Sequence, residues 1–282
     1  MAPVRQQLRA GFIGLGSQGA PMARRIAEAG FPLTLWARRP ATLEPFAGTA
    51  AKTASTPAEL AASSDVIGLC VRDDDDISQV TAGEDGVLAG VAPGSIIAVH
   101  ATVHPDTVLA LAAAAADKGA FVIDAPVSGG QPAAAAGRLL VMTGGAAEHV
   151  ERARPVLASY GDPIVPVGPL GAGQLTKLLN NLLFTAHLAV GASLLKLGRD
   201  LDVDPAGLAK VIAAGSGASF ALARIADGGG TLDRIGAHAG PLLAKDVRLT
   251  VAVAEAAGLE GVGAETVVAA ADAALAMMNA AR

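Results

Sequence analysis

Cysteine is almost missing from this 282-residue chain: Cys70 stands alone, which excludes an internal disulfide and any zinc-finger pattern. It lies in the apolar run V-I-G-L-C-V at 66–71 and reads as a small core residue. Aromatics are scarce as well, at 3% of residues, while apolar types make up 52%. The core must therefore be Ala, Val, Leu and Ile packed closely with glycine, which suits helices laid on a parallel sheet. Basic charge is not in surplus. Lys and Arg total 21 against 26 acids, a net charge of −5, so no basic face for nucleic acid is expected. Residues 1–10 lack the apolar stretch of a secretory signal and run straight into a strand. No membrane span is expected either, because the best apolar run, from Leu182, meets His187 and Lys196 within the ~20 residues a span requires. The reading is a soluble cytoplasmic protein, long enough for two domains.

What is abundant is glycine in informative places. Residues 11–19 read G-F-I-G-L-G-S-Q-G, with a strand before, a helix to about Gly30 carrying Met22, Ile26 and Ala29 on one face, and a second strand at 32–36. The spacing is G-x-G-x-x-G: Gly14 makes the tight turn, Gly16 admits a pyrophosphate to the backbone, and Gly19 lets helix pack on strand. The helix N-terminus then offers N–H groups to the phosphates. A glycine-rich turn without ligand is the bland alternative. At the end of the second strand an NAD enzyme usually places an acid on the ribose, but here the chain reads A-R-R-P, with Arg38 and Arg39. Guanidinium groups match a 2′-phosphate, so NADP is favoured, with NAD as the second coenzyme; otherwise the pair is a solvated turn.

Apolar strands then alternate with helical segments: strands at 65–71, 95–99, 121–124 and 139–143, helices at 105–118 and 146–160. This pattern is a doubly wound parallel sheet. The acids Asp73 to Asp76 are read as capping a helix N-terminus, with a metal site as the weaker alternative. Two loops follow strand ends, where ligands bind in open α/β sheets. In H-A-T-V-H-P at 100–105, Thr102 is placed to meet a nicotinamide ribose, and His100 and His104 read as turn residues rather than a metal pair or triad. In D-A-P-V-S-G-G at 124–130, Ser128, Gly129 and Gly130 expose a hydroxyl and successive N–H groups that fit a carboxylate; alone, the stretch reads equally as a flexible turn.

The stretch G-A-G-Q-L-T-K-L-L-N-N at 171–181 opens the second half. Lys177 and Asn181 are four apart and share one helix face. The apolar run 182–197 carries no acid, so the helix is expected to be long and largely buried. A lysine there either snorkels or donates a proton into a cleft.

Together these segments resemble the β-hydroxyacid dehydrogenase family, including 3-hydroxyisobutyrate dehydrogenase, tartronate semialdehyde reductase and the glyoxylate/succinic semialdehyde reductases. Residues 11–30 are similar to its cofactor fingerprint, 124–145 to its substrate motif, 171–181 to its catalytic motif, and L-A-K-D at 243–246 to its late lysine motif. The resemblance implies a Rossmann-type doubly wound parallel sheet over residues 1–168, followed by an all-α domain over 169–282, as in 6-phosphogluconate dehydrogenase. It implies that Lys177 is the general acid or base and that Asn181 holds the substrate oxygen or positions the lysine. Ser128, Gly129 and Gly130 would grip the substrate carboxylate, and Lys245 would close the site with Asp246 in support. Gly14, Leu15, Gly16, Ser17, Gln18, Gly19, Arg38, Arg39, Thr102, Lys245 and Asp246 would contact the coenzyme; no metal is implied. The implied activity is NAD(P)-dependent interconversion of a small β-hydroxyacid and its semialdehyde or keto acid. Three departures stand out: Ala37-Arg38-Arg39 where Asn-Arg-Thr or an acid is usual, Val71-Arg72 for a Leu-Pro pair, and Ala101-Thr102 for Ser-Thr.

In the second half Asp204 and Pro205 read as N-cap and first-turn proline. Glycines at 228–230 mark a mobile loop, and helices are expected at 241–257 and 263–281. Phe220, Leu222 and a loop before Lys245 are expected to line the substrate pocket. The apolar helix suggests burial by a second subunit, hence a homodimer or homotetramer. A short-chain dehydrogenase is excluded because Tyr160, the single tyrosine, is followed by Ile164 where Tyr-x-x-x-Lys needs lysine. An imine reductase on the same fold and a non-catalytic NADP-binding regulator are the remaining alternatives; Lys177 and the 128–130 loop argue against each.

Overall fold

Short apolar segments pair edge to edge in the computed structural model, which describes residues 7–259 and 264–280. The opening residues 1–6, part of the stretch read for a signal, and the expected helix ends Gly263 and Ala281 lie outside the described residues. The strands are β1 (Ala10–Ile13), β2 (Leu33–Trp36), β3 (Lys52–Thr53), β4 (Val66–Leu69), β5 (Ile96–Val99), β6 (Phe121–Asp124), β7 (Val127–Ser128), β8 (Leu139–Gly144) and β9 (Gly161–Gly168). They form one sheet in the order β3-β2-β1-β4-β5-β6-β8-β7, with β9 also on β8. The strand order reverses at β1, which lies between β2 and β4. Pairing is parallel from β3 through to β6. It then turns antiparallel at β8, so the expected parallel sheet carries an antiparallel extension.

The parallel strands β1, β4 and β5 are buried on both faces, and β6 is buried after Phe121, as continuous apolar runs require. Alternate residues feed two cores. Phe12, Val66, Ile96 and Ile123 face one; Ile13, Ile67, Ile97 and Val122 face the other. The flanking helices are α1 (Gly19–Glu28), α2 (Pro57–Ala62), α3 (Asp74–Thr81), α4 (Val87–Gly90), α5 (Pro105–Ala116), α6 (Gly130–Ala135) and α7 (Ala147–Leu157). On α1 the buried residues are Gly19, Met22, Ala23 and Ile26, an i, i+3, i+4, i+7 stripe. Ala29, expected on that face, is instead the C-cap.

The remaining helices are α8 (Ala172–Asp200), α9 (Pro205–Ala214), α10 (Phe220–Asp227), α11 (Asp233–Ala256) and α12 (Ala264–Met277). By compactness the chain divides into Met1–Lys177 and Leu178–Arg282, a boundary inside α8. The second unit has its own core, with Leu182, Leu188, Ile225, Val247 and Leu275. Asp204 caps α9, accepting from the Gly207 N–H at 2.6 Å, and Ser219 caps α10 through the Leu222 N–H. Helix α11 begins eight residues before Pro241, which lies inside it; the proline read as a start because first-turn positions are where helices best tolerate it.

Helix α8 departs from expectation twice. It is long and apolar enough, by length and composition, to cross a membrane, with mean hydropathy 1.5 in its best window, half of which is buried. His187 and a single Lys196 do not lower that window enough, and core helices pass the same test. It is also far from largely buried: Leu179, Leu183, Val190, Leu194 and Leu197 are each at least 40% exposed.

Candidate active site

The three glycines of the 14–19 turn have different reasons to be glycine. Gly14 has φ +99°, and a Cβ there would overlap the Cys70 carbonyl oxygen. A Cβ on Gly19 would overlap the Gly14 carbonyl oxygen and press on the Phe12 ring. Both are demanded by the fold. Gly16 is exposed, its backbone is outside the left-handed region, and an added Cβ would meet nothing within 4 Å. Among the described residues no contact requires that glycine; bare backbone there would admit close approach of a ligand. The N-cap of α1, Gln18, makes no side-chain capping bond, which suits a helix end meant for phosphate. These features fit a dinucleotide. Ser17 is exposed, whereas Leu15 turns its side chain into the core at 6% exposure, so only its backbone belongs to the turn.

Beside the expected arginines 38 and 39, the fold brings a third, Arg72, to share a carboxylate with Arg38. Arg38 follows β2, and its Nη2 donates to Asp76 Oδ1 at 2.7 Å. Arg72, following β4, donates from its backbone N–H and its Nε to Asp76 Oδ2, both at 3.3 Å. Arg39 is exposed and stands before the short 3₁₀ turn Pro40–Phe46. Asp76 is buried. Burial alone would raise its carboxyl, but the bonds from Arg38 and Arg72 outweigh it and hold it below the usual range. Asp73 caps α3 by accepting from the Asp76 N–H at 2.9 Å, as the acid run implied. Asp76's partnership across 38 residues left no local signal.

The loop after β5 also differs from expectation. His104 is a cap, its Nδ1 accepting from the Asp106 N–H at 3.1 Å. His100 is not a turn residue but a core one. Its Nδ1 lies 2.7 Å from the Ala125 carbonyl and its Nε2 3.0 Å from the Tyr160 hydroxyl, and its ring stacks on Phe12. Burial pushes it down to about 4, so the ring is neutral, with Nδ1–H donating to Ala125 and Nε2 accepting from Tyr160. Thr102 is half-buried in this loop, and both its neighbours are gripped by one side chain. Gln174 Nε2 donates to the Ala101 carbonyl at 2.9 Å, and the Val103 N–H donates to Gln174 Oε1 at 3.1 Å.

Gln174 belongs to the first turn of α8, the helix that carries Lys177. That turn is held a second time by Asp124 at the end of β6. Its buried carboxylate accepts from the Gly171 N–H at 3.0 Å and the Gln174 N–H at 2.7 Å. Burial raises the Asp124 carboxyl, and these N–H groups only partly offset it. Gly144 and Gly173 must be glycine because a Cβ on either would strike this carboxylate. Lys177 follows Gln174 by three residues, on the same helix face, and is buried. Asp124 and Gln174, neither expected as site residues, thus fix the lysine's helix to the β5 and β6 strand ends.

Ser128 ends β7 beside β8. Gly129 (φ +123°) is the N-cap of α6 and Gly130 (φ +72°) its first residue, so the stretch is a bend whose N–H groups open a helix. In the second unit, Asn181 Nδ2 donates to Asp246 Oδ2 at 2.6 Å, and Lys245 Nζ lies 3.1 Å from Asp246 Oδ1. Asn181, Lys245 and Asp246 are therefore one polar group. No loop precedes Lys245, which sits midway along α11. Of the expected pocket residues, Leu222 is buried in the helical core, while Phe220 is 64% exposed.

Comparison with known proteins shows what the chain as a whole is similar to. Residues 9–168 match the NAD binding domain of 6-phosphogluconate dehydrogenase, and residues 171–282 match the NAD-binding domain of NADP-dependent 3-hydroxyisobutyrate dehydrogenase. The chain is 36% identical over 211 residues to a 3-hydroxyisobutyrate dehydrogenase of Pseudomonas aeruginosa, covering 75% of this chain and 71% of that one. It is 32% identical over 252 residues to an NAD-dependent L-serine dehydrogenase of the same organism, covering 87% and 85%. Among solved structures, a Mycobacterium tuberculosis 3-hydroxyisobutyrate dehydrogenase with L-serine superposes with a TM-score of 0.81 at 26% identity, covering 95% and 92%.

Proposed function

The chain belongs to the β-hydroxyacid dehydrogenase family, and we propose that it reduces a small semialdehyde or keto acid, or oxidises the matching β-hydroxyacid, with Lys177 as acid and base. The nicotinamide coenzyme, when bound, supplies or accepts the hydride. The protein must hold the substrate, steady charge on its oxygen and move one proton. Lys177 stabilises the developing oxyanion and gives it a proton in reduction; in oxidation it takes the hydroxyl proton, directly or through water. Ser128 with the N–H groups of Gly129 and Gly130 holds the carboxylate shared by 3-hydroxyisobutyrate and serine. Asn181 and Lys245 orient the substrate, with Asp246 keeping Lys245 in place. The turn 14–19 and Thr102 hold the coenzyme, and Arg38 and Arg39 favour the 2′-phosphate of NADP.

The observation that carries this reading is the double anchoring of α8's first turn by Asp124 and Gln174, which a merely solvent-seeking lysine would not need. A functional division at 168/169, before α8, fits the same view: the helix belongs to the substrate domain although its start is locked to the sheet. The exposed apolar residues of α8 support a homodimer or homotetramer, and a cytoplasmic location suits such an enzyme. The test is NADPH consumption with glyoxylate, succinic semialdehyde, tartronate semialdehyde and methylmalonate semialdehyde. Lys177→Ala should lower kcat by ~10²-fold or more with coenzyme affinity kept. Unchanged turnover would remove the assigned acid.

A further inference from the structure

We propose that Asp76 sets how strictly this enzyme distinguishes the two nicotinamide coenzymes, by placing a fixed negative charge beneath the arginines that would read a 2′-phosphate. The end of β2 lacks the ribose-facing acid expected of an NAD enzyme, yet the fold delivers a carboxylate to Arg38 from the first turn of α3. That carboxylate is not free to leave. It is buried, with its side chain 8% exposed, and both oxygens are engaged, Oδ1 by Arg38 and Oδ2 by Arg72. Its backbone N–H is tied to Asp73. The two guanidinium groups lie outward of it, with side chains 55% and 73% exposed. Arg38 spends its Nη2 on Asp76 and, being exposed, presents the fork of a guanidinium to the surface, which is the arrangement a phosphate needs.

The surrounding charges lean further the same way. Asp73 lies 3.9 Å from the Arg72 guanidinium, Asp74 accepts from the His104 N–H and the Thr107 hydroxyl, and Asp75 completes the acidic first turn. Two carboxylates, Asp76 and Asp73, thus stand against Arg38 and Arg72. Repulsion from Asp76 falls on a phosphomonoester carrying nearly two negative charges at neutral pH and is not felt by a neutral 2′-hydroxyl. Arg38 and Arg72 attract NADP, and Asp76 limits that preference so that NAD remains usable. Arg72, standing where the family has a Leu-Pro pair, joins the cation to this arrangement.

This inference rests on Arg38 reading the 2′-phosphate, so the experiment measures both. Dissociation constants for NADPH and NADH are determined by titration calorimetry on wild type, Asp76→Asn and Arg38→Ala, at low salt and at 0.5 M salt. Asparagine removes the charge at nearly the same size and keeps one carbonyl acceptor, its oxygen placed to accept from Arg38. Asp76→Asn should raise the preference for NADPH by about fivefold at low salt, ~1 kcal/mol, and the gain should shrink at high salt because it is screened. Arg38→Ala should lower the preference. If Arg38→Ala lowers it while Asp76→Asn leaves it unchanged or reduces it, the role of Asp76 is overturned alone. If Arg38→Ala has no effect, the reading of Arg38 fails and the Asp76 inference fails with it. Asp76→Ser, which retains a short acceptor in the first turn, replaces the asparagine variant should that one not fold.

Discussion

Alanine at each glycine of the 14–19 turn separates what the fold requires from what the coenzyme requires. At Gly16 a Cβ meets nothing within 4 Å and the backbone conformation is open to any residue. Gly16→Ala should leave the unfolding temperature unchanged or slightly raised, since removing a glycine from the unfolded ensemble stabilises by ~0.4–1 kcal/mol where the native conformation is compatible. On the proposed reading the methyl group would stand where the pyrophosphate approaches. Overpacking a close contact costs ~1–3 kcal/mol, so NADPH and NADH should both bind roughly 5- to 150-fold more weakly.

Gly14→Ala should behave oppositely. Its φ of +99° is strained for any side chain, and the Cβ would overlap the carbonyl oxygen of Cys70, whose own N–H is bonded to Ile13 at 2.8 Å in register with the sheet. Strain of ~1–3 kcal/mol and the overlap act together, so thermal unfolding should begin well below wild type. Gly19→Ala, overlapping Gly14, should resemble it. The measurements are thermal unfolding without coenzyme and calorimetric titration with it. A folded Gly16→Ala that binds either coenzyme normally would refute the cradle, and a Gly16→Ala that unfolds early would refute the claim that the space above it is open.

Two further outcomes follow from other parts of the chain. His100 is held near 4 by burial against an ordinary value of 6.5, so between these pH values the unfolded chain takes up a proton the folded one refuses. Stability present above pH 6.5 should therefore be lost on acidification to pH 4, by up to ~3 kcal/mol; His100→Asn should flatten that part of the stability–pH curve, and an unchanged slope would contradict a neutral buried imidazole. Leu183, half exposed on α8, should matter for assembly: Leu183→Glu should shift the mass measured by light scattering toward a monomer, and an unshifted mass would place the subunit contact elsewhere.

The parts of this protein that were readable in its sequence are those whose cause is local. Strand β6 runs from Phe121 to Asp124 as its apolar run predicts, and the cap at Asp204 needs only the three residues that follow it. Strand β9 escaped because Pro163 and Pro166 argue against a strand; it is tolerated at the sheet's far side, where β9 pairs with β8 alone. Asp76 and Gln174 escaped for a different reason. Each acts on residues distant in sequence: Asp76 on Arg38, Gln174 on the chain either side of Thr102. Neither carries a spacing that could announce it. The lysine could be singled out as an apolar-helix anomaly, but what makes it usable could not. A buried carboxylate and a buried amide, supplied by a strand end and by the helix itself, cost desolvation that only fully made hydrogen bonds offset. Such a network tolerates one arrangement of the α8 start, and with it one place for the backbone that carries Lys177.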